Sequence, residues 1–258
     1  MIIKSSQKLN EYKEATSIST KILRQLYDFI EIGRTGLQVD KLADSLCQKH
    51  QVKSAFKGVK SGKNIYQYTT CISVNDTIVH GIPSSRKFCA GDVIKVDFGI
   101  IYKGLYTDHC FTVGLKELTK QDKNLITTAH KAILKATRQA IVGKTTGDLG
   151  FIMEKIANKS GFNTIKDFVG HGIGYSLHEP PQLAAFGDQH SGVTLQEGML
   201  LCVEAQLVPG SNEIRYSSDG WTVKTKDGGK SAMFEFMVVV RKKQPLILTP
   251  TMDWPIVK

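Results

Sequence analysis

Two glutamates stand inside apolar runs, Glu204 in LLCVEAQLV and Glu235 in MFEFMVVV. Runs of this length, bounded by turn residues, read as interior β-strands. A carboxylate taken out of water alone is costly, so each glutamate needs a cation beside it. No Lys or Arg lies within three residues of either one. The chain must therefore fold so that a distant basic side chain, or a metal ion, meets two interior strands.

A second pair of acids points to the metal. Asp97 in VIKVDFGII and Asp108 in YTDHCFTVG flank a short turn, so residues 93–113 read as a β-hairpin. Pairing Asp97 with Asp108 leaves Tyr102 and Lys103 as a two-residue loop, a common hairpin length. Directly opposed residues project from one face. Two carboxylates so placed repel each other unless a cation lies between them. The plainer alternative is a wet hairpin edge carrying two unrelated acids. His171, in VGHGIGYSLHEPP, sits among Gly170, Gly172 and Gly174, which allow close backbone approach and unusual dihedrals around the imidazole. His178 follows in HEPP. This is not a zinc-protease helix, because Gln182 stands where a second His belongs and two prolines would break the helix.

Around these residues the chain reads as mixed α and β. Ile18, Ile22, Leu26, Phe29 and Ile30 recur at helical spacing, and Gly33 and Gly36 break that helix. Val39, Leu42, Leu46 and Cys47 predict a second helix, residues 119–141 a third, and Ile152, Met153 and Ile156 a fourth. Residues 55–70 read as a loop. Gly33-Arg34-Thr35 and Gly143-Lys144-Thr145 each precede a helix, and His-Gly-Ile occurs at 80–82 and at 171–173. The shared order predicts a duplicated α+β unit with pseudo-repeats over roughly 1–115 and 116–258. No Gly/Ser or Pro-rich linker separates them, so residues 1–258 read as one domain.

Other classes fall away. Five cysteines without a CxxC argue against a disulfide framework or a zinc finger, and fit a reducing compartment. The first residues, MIIKSSQKLNEYKE, lack a signal-peptide core, and no apolar run reaches membrane-spanning length, so a cytoplasmic location and no membrane partner are expected. Residues 58–63 fall one residue short of a P-loop, and no nucleophile elbow is present. The net charge of +10 fits either a solvated lysine surface or a polyanionic partner.

The order Asp97, Asp108, His171, Glu204, Glu235, with SVNDTIVHGIP, GHGIG…HEPP, EGM…E and DGWTVKTKDGGKSAMFE, resembles the type I methionine aminopeptidases of the pita-bread metallopeptidase family. The similarity covers nearly the whole chain. It implies an α+β pita-bread (creatinase/aminopeptidase) fold, with pseudo-two-fold duplicated halves and an antiparallel sheet covered by helices. It implies that Asp97, Asp108, His171, Glu204 and Glu235 hold two divalent metal ions, cobalt, manganese, iron or zinc. It also implies catalytic roles for His80, His178 and Glu204, and a substrate pocket that includes His80, His178, Tyr66, Cys71, Leu177 and Trp221. The activity implied is removal of the initiator methionine from nascent polypeptide N-termini by a monomer, with the basic charge available for the ribosome surface. The sequence departs from the family pattern at Ala205, Phe236 and Leu177, which bears on pocket shape. Two rival readings are an Xaa-Pro peptidase of the same fold and a binding module that has lost catalysis.

Overall fold

The computed structural model describes residues 1–258. Four helices carry one side of the molecule: α1 Ser6–Phe29, α2 Gly36–Lys49, α3 Lys120–Arg138 and α4 Thr146–Lys159. α1 begins well before its periodic stretch because the Ser5 hydroxyl accepts the Lys8 backbone N–H, and Tyr12 and Ala15 extend the buried stripe. Gly33, with φ 91°, turns the chain. Gly36 is no breaker: it is the first residue of α2. The Thr35 hydroxyl accepts the Gln38 N–H at 3.2 Å, while the Gln38 side chain accepts the Thr35 N–H at 2.9 Å. Thr145 and Asp148 form the same reciprocal box at α4. The repeated Gly-basic-Thr tripeptide is thus a helix-start signal.

A nine-stranded antiparallel sheet forms the other layer. Its main path runs Glu179–Leu183, Gly170–Gly172, Leu200–Val208, Ala232–Val239, His109–Gly114, Val93–Phe98, Cys71–Val74. One 43-residue core joins α1, α3 and α4, through residues such as Leu26, Ile133 and Met153, to Val96, Val203 and Phe236 on the sheet. Successive strand residues face opposite sides. The neighbours Asp97, Glu204 and Glu235 therefore project from the uncovered face.

The hairpin is registered two residues away from the expected pairing. Asp97 pairs with Cys110, not Asp108, and the tip is Lys103–Gly104, between Tyr102 and Leu105. Both tip residues have positive φ, 50° and 78°, as a type I′ turn requires. Glycine fits that geometry where Tyr102–Lys103 would be strained. A two-residue slip keeps every side chain on its original face, so both acids still point the same way. Within the expected loop, Lys60–Ser61 and Asn64–Ile65 form a small hairpin.

The internal echo is real in one place and false in another. Gly91 and Gly198, with φ 84° and 83°, lead into Val93–Phe98 and Leu200–Val208, which makes Asp97 and Glu204 equivalent. The two His-Gly-Ile segments are not equivalent. His171 lies within a strand and pairs with Cys202, whose counterpart Lys95 pairs with Ser73. His80 follows Thr77–Val79, a strand of a separate three-stranded sheet. No helix is long and apolar enough to cross a membrane.

Candidate active site

Every metal, catalytic and pocket residue inferred from the sequence lines one cavity of about 310 Å³. Ala205 and Phe236, by contrast, lie in the core on the helix-covered face and do not shape it. Asp97, Cys110, Glu235 and Glu204 form a row across four adjacent strands. Asp108 stands at the entry to His109–Gly114, two residues before Cys110. Carboxylate oxygens of Asp97, Asp108 and Glu235 lie within 4.8 Å of one another. His171 closes the group from the next strand, its Nε2 at 3.7 Å from Asp108 Oδ2, 3.8 Å from Glu204 Oε1 and 4.0 Å from Glu235 Oε1. His171 Nδ1 lies 2.9 Å from the Gly172 carbonyl. That contact places the ring proton on Nδ1 and leaves the Nε2 lone pair facing the carboxylates.

The glycines around His171 serve close approach alone. Neither Gly170 nor Gly172 adopts a left-handed φ. A Cβ at Gly170 would stand 2.5 Å from the Cys202 carbonyl oxygen, and one at Gly172 2.2 Å from that of Pro180. His80, by contrast, owes its direction to an unusual backbone, with φ 54°. Gly81 behind it admits no side chain, since a Cβ there would meet the Ile72 carbonyl oxygen at 2.4 Å.

The electrostatics require a cation. Asp108, Glu204 and Glu235 are buried. None of the four acids pairs with a Lys or Arg; their one basic neighbour within ion-pair distance is His171. Asp97 Oδ1, Asp108 Oδ1 and Glu235 Oε1 are shielded from water and have no hydrogen-bond partner. Removal from water pushes the Asp97 carboxyl up to about 7 and that of Glu204 up to about 8. Burial, then repulsion among the acids, raises Asp108 and Glu235 well above the carboxylate range. Burial lowers His171 to about 4, so its imidazole is neutral near pH 7 and able to ligate. Unpartnered carboxylate oxygens with one neutral imidazole are a donor set for divalent ions that favour oxygen and nitrogen.

Residues 10–242 match the model of metallopeptidase family M24. The chain belongs to metallopeptidase family M24. This M24 chain is 31% identical over 249 residues to a methionine aminopeptidase of Clostridium perfringens, covering 96% of this chain and 98% of that one. A crystal structure of methionine aminopeptidase from Thermotoga maritima superposes with a TM-score of 0.90 at 35% identity, covering 96% of this chain and 99% of that one. An Xaa-Pro dipeptidase from Bacillus anthracis, at 20% identity and TM-score 0.76, shares the fold over 64% of its own length. The architecture is the pita-bread fold, and M24 membership carries a divalent metal cofactor.

Around the acids, this M24 site has a wall of aromatic and sulfur-bearing side chains. The Tyr66 hydroxyl donates to the Thr70 carbonyl at 2.9 Å, and its ring meets Trp221 edge-on at 5.2 Å. Cys71 and Leu177 complete that wall. The His178 ring stands edge-on to His171 at 4.5 Å. His80 packs edge-on against Phe168 at 5.4 Å, and burial followed by repulsion from His178 lowers it to about 4. Sequence reasoning missed Phe56, Val59, Phe168 and Met233, which also line the cavity. Phe56 and Val59 lie in the segment read as a loop, whereas nothing in the sequence marks Phe168. It also missed Gln206, buried on the same face as Glu204, whose Nε2 donates to Glu204 Oε2 at 2.6 Å. A glutamine inside an apolar strand was the available signal.

Proposed function

We propose that this M24 peptidase removes the initiator methionine from nascent polypeptides, using two divalent ions. The observation that carries the metal site is the convergence of four carboxylates and one neutral imidazole with no basic partner. The charges balance, since two divalent ions would offset four carboxylates. Asp97 would hold one ion, Asp108 and Glu235 would be shared, and His171 with Glu204 would hold the other. The oxygen-rich set favours manganese, iron or cobalt over a thiolate-preferring ion. Bound there, the ions would polarise the scissile carbonyl and lower the pKa of water.

The chain's own groups supply the rest. Glu204 takes a proton from the attacking water and returns it to the leaving amine. His80 and His178 face the same cavity, and neutral imidazole N–H groups there donate to the scissile amide and to the developing oxyanion. Tyr66, Cys71, Leu177 and Trp221 wall a slot for an unbranched thioether, for which aromatic and sulfur contacts are favourable. We read residues 1–258 as one catalytic domain with halves meeting near residue 115, acting as a cytoplasmic monomer. Its charge of +10 supports contact with the ribosome surface.

The test is a peptide assay on protein stripped by chelation and reloaded separately with cobalt, manganese, iron or zinc. Cleavage of Met-initiated peptides that depends on added metal is the expected result. Preference for Xaa-Pro peptides would shift the reading to the rival peptidase, and metal-independent cleavage would overturn the site.

A further inference from the structure

Sulfur lies directly beneath the carboxylate cluster, and no step above uses it. Cys202 is fully buried on Leu200–Val208, two residues before Glu204 and so on the same face. His171 pairs with it on one side and Met237 on the other. The Met237 sulfur accepts the Asp108 N–H at 3.3 Å, so the floor is soft on both strands. A His171 ring nitrogen, Cys202 Sγ and a Glu235 carboxylate oxygen lie within 4.8 Å of one another. Glu235 Oε1, buried and without a hydrogen-bond partner, faces His171 Nε2 at 4.0 Å. The thiol's own contact to the Asp108 carbonyl is long, 4.0 Å, and holds it weakly.

We propose that His171, Cys202 and Glu235 form a thiophilic metal site, an alternative to the oxygen-rich pair with which it shares His171 and Glu235, that takes Zn²⁺ or Cd²⁺. The inference rests on the ligand set assigned above. One nitrogen, one sulfur and one oxygen are three of the four donors that zinc takes in tetrahedral geometry. Thiolate ligation selects soft ions over manganese. As the ion binds, the thiol proton leaves to solvent and the sulfur takes the ion in its place. His171 and Glu235 cannot serve both arrangements at once. Excess zinc therefore blocks the enzyme, while excess manganese leaves Cys202 unengaged.

The experiment has two readouts on full-length protein. Metal-stripped protein is titrated with Cd²⁺ and followed by the ultraviolet sulfur-to-metal charge-transfer band. Separately, manganese-loaded protein is assayed against rising Zn²⁺. Cys202→Ser should lose the band, keep manganese-supported activity, and raise the half-inhibitory zinc concentration at least about tenfold. Cys47→Ser and Cys110→Ser, which remove other buried thiols, should keep both the band and the inhibition. Cys202→Ala gives the same readouts if the serine variant does not fold. A band and a zinc response that survive loss of Cys202, or that vanish with Cys47 or Cys110 instead, would overturn the proposal. Manganese-supported cleavage by the unmodified protein reports on the peptidase reading separately, so the two can fail independently.

Discussion

Glu204 is held by one neighbour, and that neighbour sets how its carboxylate is presented. The Gln206 amide fixes Oε2 and leaves Oε1 toward His171, while its own Oε1 has no partner. A hydrogen bond to a charged group is worth about 1.5–3 kcal/mol. Gln206→Met, close in volume, should therefore lower kcat about 10–100-fold with KM little changed and a thermal midpoint near that of the parent. Steady-state kinetics and a melt check this; an unchanged kcat would show that Glu204 orients itself. His80 and His178 make a different prediction, since neither is assigned to metal. Alanine at either should lower kcat about 10²–10³-fold while metal content stays at the parent level. Metal lost along with His80 would place it among the ligands. At this scale the sequence carried much of the site, because a buried acid without a local base is conspicuous in an apolar run. Phe168 was not legible, since an aromatic beside a glycine-rich segment has no spacing that marks it as packing on His80.

At the scale of elements, the strands and helices were legible and the pairings were not. Periodicity gives the face of a strand but fixes register only modulo two, which is why the Asp97 hairpin slipped by two residues and kept its face. The Lys103–Gly104 tip decides the register through its positive φ values. The His-Gly-Ile echo misled for a related reason: a shared tripeptide says nothing about which strand it joins. The glycines offer a graded test. Gly104, with φ 78° and open space around it, should tolerate alanine at a cost of about 1–2 kcal/mol from the left-handed backbone alone. At Gly81 a Cβ would fall 2.4 Å from the Ile72 carbonyl and 2.8 Å from Ser73 Cα, both backbone, so nothing flexible can yield. Gly81→Ala should cost more than about 3 kcal/mol and displace His80, lowering kcat as well as stability. Urea melts of both variants, with kinetics of the folded fraction, make the comparison. Equal losses at the two positions would mean that the close approach behind His80 is not rigid.

For the whole molecule, the acid cluster makes stability a matter of pH and metal together. One helical layer and one sheet share a core, and the uncovered face brings four carboxylates to one place. Sequence showed the duplicated helix starts and the equivalence of the acid-bearing strands. It could not show that α1, α3 and α4 all back the same sheet, because that depends on contacts far apart in the chain. With metal removed by chelation, burial pushes the Asp97 carboxyl up to about 7 and that of Glu204 up to about 8, and burial with mutual repulsion raises Asp108 and Glu235 well above the usual carboxylate range. The unfolded chain releases the same protons near pH 4. Below about pH 6.5 the lowered His80, His109 and His171 act in the opposite sense. From about pH 6.5 to 8 the four acids outnumber Lys95, lowered to about 7, so the folded state binds more protons than the unfolded one and unfolding free energy falls as pH rises. Divalent ions reverse the trend by replacing those protons, and at one hundred times the dissociation constant they add about 2.7 kcal/mol. The expected result is a thermal midpoint that drops from about pH 6.5 to about pH 8 in chelator and holds or rises when manganese is present. Calorimetry at both pH values, with and without metal, measures it. A chelated protein whose midpoint is flat or climbs across that range would show that the four acids are charged and accommodated without an ion, and the metal reading of the cluster would fail.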